Sequence, residues 1–449
     1  MINSHAPHIL LVNPWIHDFA AYDFWATPLG LLTLGGILRE HGARVSYLDC
    51  LDRFHPSAGG ALPSSARGGR GPYRKTNIAK PPGLAHIPRN YCRYGISPDW
   101  FRNDLAALDP PDLVLVTSLM TYWYPGVRET IEVIKSVYPQ APLVLGGIYA
   151  TLYPEHARRT CGADRVAAGP GEDTILGLTA ELTGWSPAAR SDPGDLDSLP
   201  LPALDLGRRL AHVPLLTSRG CPFACAYCAS RYLQPRMLKR SPASVTAEIL
   251  HWHQTHAVRD FAFYDDALLV DAENHLLVIL EELARRGATL RFHTPNGLHA
   301  RFITPEVARW LKRANFATLR LGVETAAPGG HRLDQKLQEG ELEAALKYLQ
   351  EAGFRRDEIG VYLLLGLPNQ EDAEVAASIR RVRELGATPV LALYSPIPGT
   401  ALWPEALAAS PYDLEDEPLY HNNSLFPCWP TFSWERYTHL KRLAQGSEV

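Results

Sequence analysis

The sequence predicts an α/β protein in two parts, a doubly wound parallel sheet followed by a partial (β/α)6 barrel, and three observations carry that expectation. Short apolar runs of strand length alternate with helix-period stretches in two separate series, a pattern that gives parallel sheets with helices on their faces. A stretch rich in Pro, Ser, Asp and Gly separates the two series at 184–214. The 449 residues are 46% hydrophobic and 20% charged, an ordinary globular balance that excludes disordered, collagen-like and coiled-coil chains. The expected domains are 1–183 with an insertion at 55–100, a linker at 184–214, a barrel at 215–400 and a short C-terminal extension at 401–449.

In the first part, His8 to Asn13 is a buried strand that stops at Pro14. Thr27-Pro28 reads as a capping residue plus first-turn proline, Leu31, Leu34 and Leu38 follow at helical spacing, and Gly42 is the stop signal. Gly30, Gly35 and Gly36 lie inside that helix. Each costs about 1 kcal/mol relative to Ala, so either a ligand or backbone comes close or the helix packs tightly on the sheet. Arg44 to Asp49, Leu113 to Ser118, Leu143 to Leu145 and Arg165 to Ala168 are further strands, with a helix over Val127 to Val137. Ligands in such sheets settle at the carboxyl ends of strands. The loops at 13–17, 49–53, 117–123, 146–150 and 169–173 therefore define a candidate pocket.

The insertion at 55–100 is rich in Gly, Pro and Arg with interleaved Tyr73, Tyr91 and Tyr94. A lid over a ligand, a mobile insertion and a nucleic-acid contact are the three readings of such a loop. In the second part, strands are expected at 215–219, 261–265, 290–294, 318–323, 359–365 and 389–394, with helices between them. Ser241-Pro242 and Thr304-Pro305 each pair a cap with a first-turn proline. Six units make an open barrel whose working face is the carboxyl ends of its strands.

Forty-four Lys and Arg against forty-eight Asp and Glu give a net charge of −4, too little for a polyanion-binding surface overall. No stretch approaches the roughly 20 apolar residues of a membrane span, and the first residues lack a secretory pattern, so a cytoplasmic location is the default. An odd count of seven cysteines argues against a disulfide framework. Cys50, Cys92, Cys161 and Cys428 are scattered, while Cys221, Cys225 and Cys228 form C-x-x-x-C-x-x-C directly after the first barrel strand. Structural zinc normally asks for four protein ligands, and no fourth cysteine is near. Three thiolates on a [4Fe–4S] cluster leave one iron open to a small molecule. Zinc completed by a distant His, or an electron-transfer cluster with Cys428 as fourth ligand, are the alternatives.

That loop resembles the signature of the radical S-adenosylmethionine superfamily, with Tyr227 as the aromatic before the last cysteine. The resemblance implies a TIM-type partial barrel over 215–400 and a [4Fe–4S] cluster whose open iron is chelated by S-adenosylmethionine. Reductive cleavage would then give a 5′-deoxyadenosyl radical. It also implies cofactor contacts at strand ends. Glu324 resembles the position that holds the polar parts of the cofactor, a salt bridge to Arg320 being the alternative. Of Asp265 and Asp266, one is expected to line the barrel mouth, with Asp266 the candidate, and the other to cap the next helix. Gly366 on the fifth strand, and Gly399 and Thr400 after the sixth, are similarly placed. Asn296 contacts cofactor or substrate, or is a turn residue.

The N-terminal domain resembles the Rossmann-like cobalamin-binding domain found ahead of many such enzymes. The matching residues are Asn13, Gly30, Ser118, Gly146, Gly147, Gly169, Gly171 and Glu172. The D-x-H-x-x-G motif that gives cobalt a lower histidine ligand elsewhere is absent. The resemblance implies a cobalamin-dependent methyltransferase acting on a small-molecule substrate, served by an external electron donor such as flavodoxin or ferredoxin. It leaves as alternatives a cobalamin-linked cyclase or oxidative enzyme without methyl transfer, a methylthiotransferase and a non-enzymatic iron–sulfur sensor or scaffold. Asn13 stands where a methylthiotransferase has the first cysteine of its second cluster.

Overall fold

A computed structural model describes residues 6–59, 67–187, 194–327, 333–334, 336–429 and 432–447. The N-terminal residues 1–5, residues 60–66 of the expected insertion and 188–193 of the expected linker lie outside them. The chain divides into two compact units, Met1–Ala211 and His212–Val449.

The first unit runs β1 (His8–Asn13), α1 (Leu29–Glu40), β2 (Arg44–Asp49), α2 (Pro98–Ala106), β3 (Leu113–Val116), α3 (Tyr124–Val137), β4 (Leu143–Leu145), α4 (Ile148–Leu152), α5 (Pro154–Thr160), β5 (Arg165–Val166) and α6 (Ile175–Thr183). The five strands are parallel in the order β5-β4-β3-β1-β2. Ile9, Leu10, Leu11 and Val12 are fully buried, as a central strand covered on both faces requires. Helix α1 begins at Leu29 rather than Pro28, because the Thr27 carbonyl, not its side chain, takes the Leu29 N–H at 2.8 Å. Packing explains two of the three glycines of α1, Gly35 and Gly36. A Cβ on Gly36 would lie 2.4 Å from the Leu201 carbonyl oxygen, and one on Gly35 would lie 2.6 Å from Leu11 Cδ1.

Two expectations change in this unit. Residues 194–211, read as linker, lie along α1: Ala203 N–H donates to Leu32, and Asp205 pairs with Arg39 at 2.7 Å. The described residues of the insertion form a small module of paired strands. Its Cys92–Tyr94 strand pairs antiparallel with both Ile16–Asp18 and Lys75–Asn77, and Gly71–Pro72 pairs with Tyr22–Asp23. Three of its cations make contacts within the unit, with Arg70 over the Phe24 and Trp25 rings, Arg74 over Trp100, and Arg93 paired with Glu129.

The second unit runs β6 (Val213–Leu215), α7 (Ser230–Leu233), α8 (Pro242–His256), β7 (Asp260–Phe263), α9 (Leu276–Arg285), β8 (Arg291–His293), α10 (Pro305–Arg313), β9 (Phe316–Glu324), α11 (Glu341–Glu351), β10 (Ile359–Leu365), α12 (Asp372–Glu384), β11 (Thr388–Leu393), α13 (Trp403–Ala409) and α14 (Trp434–Gln445). The six strands are parallel in sequence order, an open partial barrel. Ser241 and Thr304 cap α8 and α10 through Ser244 and Val307 N–H groups, with proline next in each case. The first strand ends at Leu215, earlier than the expected 219, because Ser218–Arg219 leaves the sheet to pair antiparallel with Leu238–Lys239. The C-terminal stretch, without clear periodicity in sequence, supplies α13 and α14. Among the described residues no helix is long and apolar enough to cross a membrane.

Candidate functional site

The Ser218–Arg219 and Leu238–Lys239 pair forms the neck of a loop, 220–237, that carries the three cysteines. Gly220 closes the neck at φ +80°, and a Cβ there would lie 2.6 Å from the Arg236 carbonyl oxygen. The loop is pinned on both sides. Ala226 N–H donates to Leu333 and the Ala226 carbonyl accepts from Leu402 N–H, each at 2.8 Å, while the Phe223 ring sits 4.8 Å from that of His299. Cys228 N–H donates to the Cys225 carbonyl at 3.1 Å, which curls the last two cysteines together.

Cys221 and Cys225 are half-buried and Cys228 is exposed; all three are free thiols. Among the described residues no three His, Cys, Asp or Glu side chains stand close enough to hold a single metal ion. An iron–sulfur core is larger than one ion and takes thiolates that stand farther apart. Burial pushes the Cys225 thiol up to about 11, against the pull of the Lys336 ammonium, and raises Cys221 as well. Coordination itself would have to drive these protons off.

Glu324 faces this loop from the end of β9. It sits in the left-handed region at φ +64°, after a bulge that shifts the register with β10 between Gly322 and Glu324. A non-glycine residue held there costs about 1–3 kcal/mol and marks sites where strain serves function. Lys336 Nζ donates to Oε1 at 2.8 Å and stands 5.6 Å from the Tyr227 ring centroid. The second oxygen, Oε2, is buried without a hydrogen bond of proper geometry among the described residues, and the buried Tyr227 hydroxyl stands near enough to Glu324 to steady its charge. Burial pushes Glu324 up and the Lys336 ammonium pulls it back. A carboxylate with one oxygen engaged and the other unspent is a receptor for one more donor, an ammonium or hydroxyl. Arg320 is not the partner of Glu324: the bulge breaks strand alternation, and Arg320 turns into space left by Gly360.

The other barrel residues divide. Asp266 is drawn to the cysteine loop: burial raises its pKa, Ser230 hydrogen-bonds it, and its charge is felt at Cys221. Asp265 does not cap a helix. It accepts from Thr217 N–H and Oγ1 and from Ser218 Oγ, at 3.1, 2.7 and 2.6 Å, and so fixes where the chain leaves β6. Asn296 is exposed and its amide donates to the Tyr264 carbonyl at 2.7 Å, joining the ends of β8 and β7. Gly366 and Gly399 are turn glycines beside Phe426 and Tyr232, and Thr400 Oγ1 donates to the Ile397 carbonyl at 2.7 Å. Lys336 was not expected from the sequence; its charge two residues after Asp334 is the only local signal.

In the first unit the winding direction reverses between β1 and β3, so a ligand belongs at their carboxyl ends. Asn13 donates to Asp49 Oδ1 at 2.8 Å across the ends of β1 and β2, and burial holds the Asp49 carboxyl up at about 7. Ser118 Oγ donates to the Gly146 carbonyl at 2.6 Å. Gly147, at φ +93°, fits against Ser118, where a Cβ would lie 2.3 Å from its carbonyl oxygen. Gly171 starts α6 through its carbonyl and packs on Leu34, and Glu172 is buried beside it. Only at Gly30 and Gly169 among these would a Cβ meet nothing within 4 Å. The structure adds Met120 and Ile148. With Leu119 they are large apolar side chains, 41%, 36% and 43% exposed, on the loop after β3 and at the start of α4. An apolar shelf at the switch point fits the flat face of a corrin. The signal in sequence was apolar residues directly after strand ends, where loops are usually polar.

Comparison with known proteins assigns a domain type to each unit. The Radical SAM superfamily profile matches residues 215–382 and the B12 binding domain profile matches 95–179. An uncharacterized methyltransferase of Pyrococcus horikoshii is 25% identical over 384 residues, 77% of each chain. The cytidylyl-2-hydroxyethylphosphonate methyltransferase of Streptomyces wedmorensis is 22% identical over 92% of this chain and 84% of its own. The anaerobic magnesium-protoporphyrin IX monomethyl ester cyclase of Rubrivivax gelatinosus is 24% identical over 69% of this chain and 61% of its own. In fold, the chain resembles the radical S-adenosylmethionine methyltransferase TsrM of Kitasatospora setae, with a TM-score of 0.65 at 18% identity over 94% of this chain and 83% of that one. The two domains name their cofactors: a [4Fe–4S] cluster with S-adenosylmethionine for the barrel, and cobalamin for the sheet before it. The chain carries a radical S-adenosylmethionine domain over residues 215–382 and a B12-binding domain over residues 95–179.

Proposed function

We propose that this enzyme is a cobalamin-dependent methyltransferase acting on carbon in a small-molecule substrate. Bound in these domains, the cluster and S-adenosylmethionine supply a 5′-deoxyadenosyl radical and cobalamin supplies the methyl group. Cys221, Cys225 and Cys228 hold the cluster. Glu324 receives the ammonium or ribose hydroxyls of the nucleotide on Oε2, and Lys336, bonded to Oε1, opposes the effect of burial on the carboxylate. Tyr227 and Asp266 line the same mouth, while Gly30, Gly169 and the shelf of Leu119, Met120 and Ile148 receive the corrin.

The observation that carries the reading is Glu324: buried, strained in φ, and with one oxygen unspent beside the cysteine loop. Methyl transfer is favoured over ring closure because relatives named methyltransferases match 77% and 92% of this chain, against 69% for the Rubrivivax cyclase. An electron donor approaches from the Cys228 side, where the thiol is exposed and Arg231 and Arg236 suit an acidic flavodoxin or ferredoxin. A reducing, cytoplasmic setting matches seven free cysteines.

The test is anaerobic reconstitution with reductant, S-adenosylmethionine and a small-molecule extract, with and without cobalamin. Methyl transfer gives 5′-deoxyadenosine plus S-adenosylhomocysteine, the latter only with cobalamin. 5′-Deoxyadenosine without S-adenosylhomocysteine rejects methyl transfer in favour of a cyclase or oxidative outcome. Absence of 5′-deoxyadenosine rejects the cluster chemistry.

A further inference from the structure

We propose that the second unit holds a separate site for a phosphate-bearing small molecule, at the opposite end of the barrel strands from the cysteine loop. A cavity of about 520 Å³ lies where Arg356 leads into β10 and Arg383 leads into β11, and α14 closes it with Tyr437 and Lys441. These are the amino ends of the last two strands. The cysteine loop and Glu324 are at carboxyl ends, so this cavity is no part of the radical site.

Its chemistry is one-sided. Among the described residues three cations line it, Arg356 and Lys441 exposed and Arg383 half-buried against Gly446 at the end of α14, and no carboxylate does. Cations on the same helices are paired elsewhere: Arg381 of α12 bonds Glu343 at 2.7 Å, and Arg436 of α14 bonds Asp372 at 2.9 Å. Among the described residues Arg356, Arg383 and Lys441 have no acidic partner within salt-bridge distance. Like charges sharing one cavity repel, and an anion offsets that repulsion.

The rest of the lining favours an ester over a bare ion. Residues 388–391 come from both faces of β11, so the cavity runs along the open edge of the barrel, where main-chain groups are left without a neighbouring strand. Tyr437, Pro389 and Val390 add apolar surface to the same lining. Guanidinium forks for phosphate, this apolar surface and a volume in the range of small-molecule pockets together fit a nucleotide-sized phosphate ester.

The test uses the full chain, reconstituted with its cluster and saturated with S-adenosylmethionine, and follows inorganic pyrophosphate and UMP by calorimetry. Both are expected to bind saturably, UMP more tightly because of the apolar surface at Tyr437. The Arg383→Gln/Lys441→Gln variant is expected to lose at least about tenfold in affinity, about 1.4 kcal/mol. The charge-preserving Arg383→Lys/Lys441→Arg variant should retain most of the binding, which separates lost charge from lost fold. Rising ionic strength should weaken binding. The proposal is overturned if neither probe binds by about 10 mM, where any contact is weaker than about 3 kcal/mol. It is equally overturned if the neutralised variant binds as the parent does, or if S-adenosylmethionine displaces the probe. Equal affinity for the two probes would overturn the ester in favour of a simple anion.

Discussion

Removing Lys336 tests how the mouth of the barrel is built. The Lys336 and Glu324 side chains are only 10% and 14% exposed, with Nζ 2.8 Å from Oε1. At an effective dielectric of about 20, unit charges that close attract by about 6 kcal/mol. Desolvation cancels much of this, yet breaking such a pair by deleting one partner typically costs about 3–5 kcal/mol, because the other charge is left buried. Lys336→Met is expected near the low end of that range, since Glu324 can take up a proton. Glu324→Gln is expected near the high end, because the ammonium has no such escape at neutral pH. The Lys336→Met/Glu324→Gln double variant removes both charges and should lose at least about 2 kcal/mol less than the sum of the singles. Urea unfolding of the cluster-free chain under reducing conditions measures all three. Additive single losses would refute the pairing and the account of Glu324 as an anchored carboxylate. In reconstituted protein, Glu324→Gln should also weaken S-adenosylmethionine by about 10–100-fold, the worth of a hydrogen bond to a charged group.

Other outcomes follow from the same geometry. Cys221→Ala, Cys225→Ala or Cys228→Ala should each abolish iron binding and visible absorption, whereas Cys161→Ala, buried in the other unit, should leave both intact. Burial pushes the Glu129 carboxyl up, but His17 and Arg93 outweigh it and hold it down at about 2, from an ordinary 4.5. This stability is fully present above pH 4.5 and is lost as pH falls towards 2. It amounts to about 2–3 kcal/mol, and Glu129→Gln should flatten the stability–pH curve in that window. Gly36→Ala forces a Cβ to 2.4 Å from the Leu201 carbonyl oxygen and should lower stability by about 1–3 kcal/mol in thermal unfolding. Gly30→Ala meets no protein atom and should gain about 0.5–1 kcal/mol, while weakening cobalamin in equilibrium dialysis if the corrin lies against α1.

Periodicity and local signals determined much of this protein. The two strand–helix series, the proline-marked starts of α8 and α10, and the cysteine loop depend on neighbours in sequence, and they were legible there. What tertiary structure decided is where one segment meets another far along the chain. Lys336 reaches Glu324 only because the bulge in β9 turns the carboxylate out of the strand's alternation, and no local pattern encodes a bulge. The same limit applies to Asp265, whose role is set by Thr217 and Ser218, forty-eight and forty-seven residues away. It applies to the basic insertion, whose Arg70 and Arg74 looked available for a ligand and proved to be stacked on Phe24, Trp25 and Trp100. Residue types state which chemistry is possible; burial and the partners brought by folding state which groups are left free to perform it.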